Sequence, residues 1–118
     1  YLGGNDLTLN YSAEKISQKI VEFFKKITER FPTTLIINLS IKPSFERIKD
    51  IEKIEKINSL IKAESKTDNK LIQLEFYNEL MIENKINSAF YLQDGLHLNT
   101  KGYEIIIKKL KQLLKKMD

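Results

Sequence analysis

Two stretches of this chain read as strands buried on both faces, and amphipathic helical patterns separate and flank them; that alternation leaves few folds open. In residues 34–41, Leu35, Ile36 and Ile37 run together, and Leu39 and Ile41 follow. In residues 70–76, Leu71, Ile72, Leu74 and Phe76 make a second short run. A strand with one wet face alternates apolar and polar residues. Near-continuous apolar runs rich in β-branched side chains instead suit a parallel sheet covered by helices on both sides. Tyr1-Leu2, ahead of Gly3-Gly4, reads as the end of one more strand, with the glycines allowing a tight turn.

The helical segments carry their own signals. Ser12 is an N-cap candidate, Glu14 suits the first turn, and Ile16, Ile20, Phe23, Phe24, Ile27 and Phe31 follow at helical spacing until Pro32. After the loop Lys42-Pro43, Ser44 is expected to cap a second helix bearing Ile48, Ile51, Ile54, Ile57, Leu60 and Ile61, which fades through Lys66-Thr67-Asp68-Asn69. A short helix is expected over residues 78–83. The last helix starts at Asn99 or Thr100, with Tyr103, Ile106, Ile107, Leu110, Leu113, Leu114 and Met117 on one face and lysines off that face, concentrated toward the C-terminus.

The order (β)-α-β-α-β-α predicts an α/β fold: a parallel sheet in a three-layer α/β/α sandwich. Ligand sites in such sheets lie beyond the carboxyl ends of the strands. Gly3 to Asp6 follows one strand end, Lys42 to Ser44 the next, and the stretch before Asp94 follows the last. Topology thus brings together two segments about ninety residues apart.

Composition narrows the function classes. The 118 residues suffice for one domain, and 42% hydrophobic with 31% charged residues is a globular balance. The net charge of +4 comes from lysines spread over helix faces, without the aromatic and arginine interleaving that stacks bases, so nucleic acid is not an expected partner. The absence of cysteine removes disulfides, thiolate nucleophiles and Cys-based zinc sites, and leaves the compartment open. No apolar run approaches the length of a membrane span.

His97 is the single histidine, and imidazole is the one side chain whose unperturbed pKa suits a general base near neutrality. Asp94, three residues earlier, is spaced so that a tight turn sets its carboxylate against the ring and selects the tautomer. The Asn5 amide has donors for a developing oxyanion, and Gly4 beside it permits close approach. Each also has a plainer reading: Asp94-Gly95 as a turn dipeptide, Asn5-Asp6 as an Asx-turn or cap, Asn99 or Thr100 as an N-cap. Ser44, between a strand and a helix, is the best internal serine for a nucleophile, but it lacks the glycines of a nucleophile elbow. Ser12-Ala13-Glu14-Lys15 matches Ser-x-x-Lys with none of the accompanying motifs. A metal hydrolase built on Asp94 and His97 has too few further ligands. A non-catalytic, flavodoxin-like ligand-binding domain would use the same strand-end edge, though no phosphate-cradling glycine loop is present.

Gly3-Gly4-Asn5-Asp6 resembles the Gly-x-Asn-Asp third block of the SGNH (GDSL-type) serine esterases. Asp94-Gly95-Leu96-His97 resembles their Asp-x-x-His fifth block, and the run continues as Leu98-Asn99-Thr100-Lys101-Gly102-Tyr103, similar to the block's common extended form. Ser40-Ile41-Lys42-Pro43-Ser44 with Arg47, and the later Asn58, resemble segments of bacterial members. The resemblance spans essentially the whole chain in the expected order.

It implies an acyl-ester hydrolase needing no cofactor or metal, acting on a small substrate such as an acetyl ester or a lysophospholipid. His97 is then the general base, Asp94 its orienting carboxylate and Asn5 an oxyanion donor. Gly3 shapes the Asn5 loop, and Asp6 holds the turn. Structural roles are expected for Arg47, Asn58 and Tyr103. The nucleophilic serine and the glycine oxyanion donor belong to blocks not found here. Residues 1–118 are therefore expected to be the C-terminal part of one such domain, with its N-terminal strands missing. By itself this part is expected to be inactive and marginally stable or aggregation-prone.

Overall fold

A computed structural model describes residues 1–118. Helix α1 (Ala13–Arg30) leads to strand β1 (Ile36–Leu39), helix α2 (Ile51–Thr67), strand β2 (Leu71–Leu74), a hairpin of β3 (Met81–Ile82) and β4 (Lys85–Ile86), and helix α3 (Thr100–Met117). β1 and β2 pair in parallel, Ile36 with Leu71 through Leu39 with Leu74. The expected α/β order with a parallel sheet is what forms.

Capping chemistry sets two of the three helix starts. The Ser12 hydroxyl accepts from the Lys15 N–H at 3.1 Å, and the Asn99 side chain accepts from the Gly102 N–H at 3.0 Å. Helix α2 departs from expectation. Ser44 does not cap it: residues 44–47 form a turn, a 3₁₀ segment Ile48–Asp50 follows, and α2 begins only at Ile51. Ile48 consequently lies on the surface, not on the buried face of α2. The Ser44 hydroxyl is buried without a hydrogen-bond partner, and Ser44 does not line the cleft described below.

Helices cover both faces of the sheet. Ile36 packs into a cluster built by Ile16, Ile20 and Phe24 of α1 and Ile54, Ile57 and Ile61 of α2. Leu39, three residues on and therefore on the opposite side of the pleat, packs into a second cluster of Phe76, Leu80, Ile86, Tyr91 and Leu98, joined by Ile105 and Ile106 of α3. Each fully buried isoleucine contributes about 2 kcal/mol of transfer free energy. Asn38 and Gln73, register partners on the two strands, are buried; Asn38 Nδ2 donates to Gln73 Oε1 at 2.7 Å.

Three further expectations are corrected. Tyr1-Leu2 joins no strand ladder and is not strand; Gly3, at φ +102°, turns the chain directly after it. Residues 78–83 are not a helix but a 3₁₀ turn, Asn78–Leu80, running into the β3–β4 hairpin. Its two-residue loop, Glu83-Asn84, has positive φ at both positions (49° and 62°), which matches the twist of the flanking strands. The apolar face of α3 is only partly used: Tyr103, Ile107, Leu114 and Met117 are exposed, and Gly102 is the helix's one buried residue.

Candidate active site

The loops after β1 and β2 and the two motif segments enclose a cleft of about 510 Å³. Gly3, Gly4, Asn5 and Asp6 line it together with Leu39, Phe76, Leu96 and His97. Leu39 ends β1 and Phe76 lies just beyond β2, so the cleft sits at the carboxyl end of the sheet, where topology placed it.

The Asp94–His97 turn is held by its own side chain. Asp94 Oδ1 accepts the N–H of Leu96 at 2.9 Å and of His97 at 3.0 Å. Asp94 Oδ2 is 2.5 Å from His97 Nδ1. Three donors converge on one carboxylate. The hydrogen bond to His97, backed by the two backbone N–H groups, lowers the Asp94 pKa to about 2. An ionised partner at Nδ1 keeps the proton on that nitrogen and leaves Nε2 as the acceptor. His97 lines the cleft, whereas Asp94 stands behind it.

Backbone bonds fix this turn to its surroundings. Leu92 N–H donates to the His97 carbonyl at 2.8 Å, and Gly95 N–H to the Leu92 carbonyl at 3.1 Å. Gly95 has φ +67°, and a Cβ there would come within 3.0 Å of the Phe45 Cβ, so a side chain is disfavoured on both counts. Its carbonyl accepts from the Glu46 N–H at 3.2 Å, which ties the turn to the loop after β1.

At the other motif, Gly3 takes φ +102°, and a 3₁₀ turn, Asn5–Leu9, follows. Thr8 Oγ1 closes that turn by donating to the Asn5 carbonyl at 2.7 Å, leaving the Asn5 amide and the half-buried Asp6 carboxylate at the cleft. Arg47 Nη2 lies 3.4 Å from Asn5 Oδ1. A Cβ on Gly4 would come within 2.7 Å of Arg47 Nη1, so the guanidinium is laid against that glycine.

The loop carrying Arg47 is itself pinned. Asn58 of α2 clasps Ile41 on both sides, accepting from its N–H and donating to its carbonyl, each at 2.8 Å. The Tyr91 hydroxyl donates to the Pro43 carbonyl; burial raises the Tyr91 phenol well above its ordinary range, so it stays protonated and a donor. Asn58 thus has the structural role expected of it. Tyr103 lines the cleft from the first turn of α3. Lys42 lies at the strand-end edge where its segment is expected, whereas Arg47 is expected from sequence to have only a structural role; the approach of both to residues 1–5 crosses about forty positions with no local pattern to announce it. No cluster of three or more His, Asp or Glu side chains forms a metal-binding group, and no helix is long and apolar enough to cross a membrane.

Comparison with known proteins agrees with this architecture. A GDSL-like lipase from Bacteroides thetaiotaomicron shares 25% identity and superposes with a TM-score of 0.73 over 98% of this chain and 60% of its own. The esterase domain of the ZfL2-1 ORF1 protein from the zebrafish ZfL2-1 retrotransposon, at 20% identity, gives a TM-score of 0.76 over 98% of this chain and 66% of its own. A Streptococcus pneumonia protein named for platelet activating factor, at 24% identity, reaches 0.81 over 96% and 56%. The chain thus spans between 56% and 66% of these structures. No curated protein matches it significantly. The family model for GDSL-like lipases and acylhydrolases matches residues 1–110, and the chain belongs to that family.

Proposed function

We propose that this chain supplies the general base and one oxyanion donor of a serine-dependent acyl-ester hydrolase. His97 Nε2 takes the proton from the serine hydroxyl as that oxygen attacks the ester carbonyl, then returns it to the departing alcohol. Asp94 holds the ring and stabilises the imidazolium that forms. The Asn5 amide donates to the oxyanion of the tetrahedral intermediate. Water then hydrolyses the acyl-serine with His97 again as base.

The nucleophile comes from outside these 118 residues: no serine lines the cleft, and the Ser44 hydroxyl is buried away from it. The family points to a small acyl ester, such as an acetyl ester or a lysophospholipid, as the substrate.

The observation that carries this reading is the 2.5 Å contact between Asp94 Oδ2 and His97 Nδ1 on a ring that lines the same cleft as Asn5. The test uses the full-length protein that contains this chain. Wild type is expected to hydrolyse p-nitrophenyl acetate and to be labelled by a fluorophosphonate probe. His97→Gln should abolish both while leaving the thermal melt in place. Turnover that survives His97→Gln would remove the assignment of the base.

A further inference from the structure

Arg47 is half-buried, lines the cleft and is paired with no carboxylate. Its side-chain hydrogen bond is to Asn5 Oδ1 at 3.4 Å, and its Nη1 edge lies against Gly4. The chemistry of the contact sets which end of the Asn5 amide faces the guanidinium. An asparagine amide has two ends of nearly identical shape, an acceptor and a donor. Arginine offers only donors. Whichever end of Asn5 meets Arg47 must therefore be the oxygen, and the Nδ2 end is turned away from it.

We propose that Arg47 is a positioning residue for the oxyanion hole: by holding Asn5 Oδ1 it fixes the amide orientation that offers Nδ2–H to the substrate oxygen. This rests on the reading of Asn5 given above. The same contact polarises the amide, since a cation at the carbonyl end strengthens donation from the nitrogen end. Preorganisation of this kind acts on the transition state, where negative charge appears on the substrate oxygen, and hardly at all on a neutral ground state.

The surrounding loop makes Arg47 suited to this. Its backbone is closed in a turn, with Arg47 N–H donating to the Ser44 carbonyl at 3.2 Å and Asp50 N–H to the Arg47 carbonyl at 2.9 Å. The neighbouring Glu46 N–H bonds to Gly95 inside the Asp94–His97 turn. One loop thus grips the proposed oxyanion donor through Arg47 and the proposed base through Glu46. It is the bracket that sets the two motifs relative to one another.

The experiment is a double-mutant cycle in the full-length protein, with kcat and KM for the neutral ester p-nitrophenyl acetate. Removing a single oxyanion donor lowers kcat by about 10²–10³-fold, so Asn5→Ala should fall in that range. Arg47→Met leaves the amide present but free to rotate, and should lower kcat by about tenfold with KM unchanged. In the Asn5→Ala background, Arg47→Met should cost nothing further. Arg47→Lys, which keeps a donor and a positive charge, should recover most of the loss.

Equal losses from Arg47→Met in both backgrounds would overturn the proposal, because the residue would then act independently of Asn5. A rise in KM confined to a carboxylate-bearing ester, with kcat intact, would also overturn it and make Arg47 a contact for substrate charge. An Asn5→Ala enzyme with unchanged kcat would bring down the oxyanion assignment itself, a failure distinct from the first two. Thermal melts accompany every variant. Where Arg47→Met does not fold, Arg47→Ala, which also removes the donor to Asn5 Oδ1, gives the same comparison in the two backgrounds.

Discussion

Asp94→Asn is a sharp perturbation of the site because the structure dictates which way the new amide must face. Asp94 Oδ1 accepts two backbone N–H groups, from Leu96 and His97, at 2.9 and 3.0 Å. An asparagine keeps its oxygen on those donors, so the turn survives. Its NH₂ is then what remains to face His97 Nδ1, at the 2.5 Å position that the carboxylate oxygen held. A donor at that position requires Nδ1 to accept, which moves the proton to Nε2 and removes the lone pair needed to take a proton from serine. In an enclosed Ser-His-Asp triad the same exchange lowers kcat by about 10⁴-fold. Here the His97 and Asp94 side chains are 61% and 46% exposed, so water can solvate a ring that swings off the amide. The expected loss is accordingly about 10²–10⁴-fold in kcat, with little change in KM. The assay is steady-state hydrolysis of p-nitrophenyl acetate by the full-length protein, with a thermal melt as control. A loss below tenfold with an unchanged melt would refute the tautomer argument. A collapsed melt would show that the turn depends on the carboxylate charge, not on its geometry.

The same carboxylate predicts an acid limb. Folding lowers the Asp94 pKa from 3.8 to about 2, so the ionised form favours the folded state. That contribution is complete above pH about 4 and is lost as pH falls through about 2; Asp94→Asn should flatten this limb in acid-unfolding curves, and an unchanged curve would count against it. Asn58→Ala removes both bonds to Ile41 and leaves a buried N–H and carbonyl unpaired, at a cost of about 2–5 kcal/mol in denaturant unfolding of the full-length protein; a change below about 1 kcal/mol would show that water replaces the clasp. The buried Asn38–Gln73 pair keeps one bond but leaves Asn38 Oδ1 and Gln73 Nε2 unpaired. Asn38→Leu with Gln73→Met together should be neutral or stabilising, while Asn38→Leu alone should destabilise by about 1–3 kcal/mol; a double variant worse than the single would contradict this.

The sequence by itself determined whatever depends on neighbours in the chain. Ser12 and Asn99 cap α1 and α3 because a side-chain oxygen reaches N–H groups three residues on. The apolar runs around Ile36 and Leu71 demand burial on both faces whatever surrounds them. Asp94 meets His97 within one turn, whereas Asn5 reaches the same cleft without the strand end expected before it. Contacts between distant segments were decided only by the tertiary structure. Ser44 fits a cap locally, yet the clasp of Asn58 on Ile41 and the bond from Tyr91 to Pro43 hold its loop down, and α2 starts seven residues later. Residues 81–86 are too few for either periodicity to show, and Glu83 gives no turn signal although it adopts positive φ. Arg47 reads from sequence as a residue of structural role near the start of α2 until the fold lays it against Gly4 and Asn5. Local chemistry is written in adjacent residues; a bond across forty positions exists only once packing has fixed both ends.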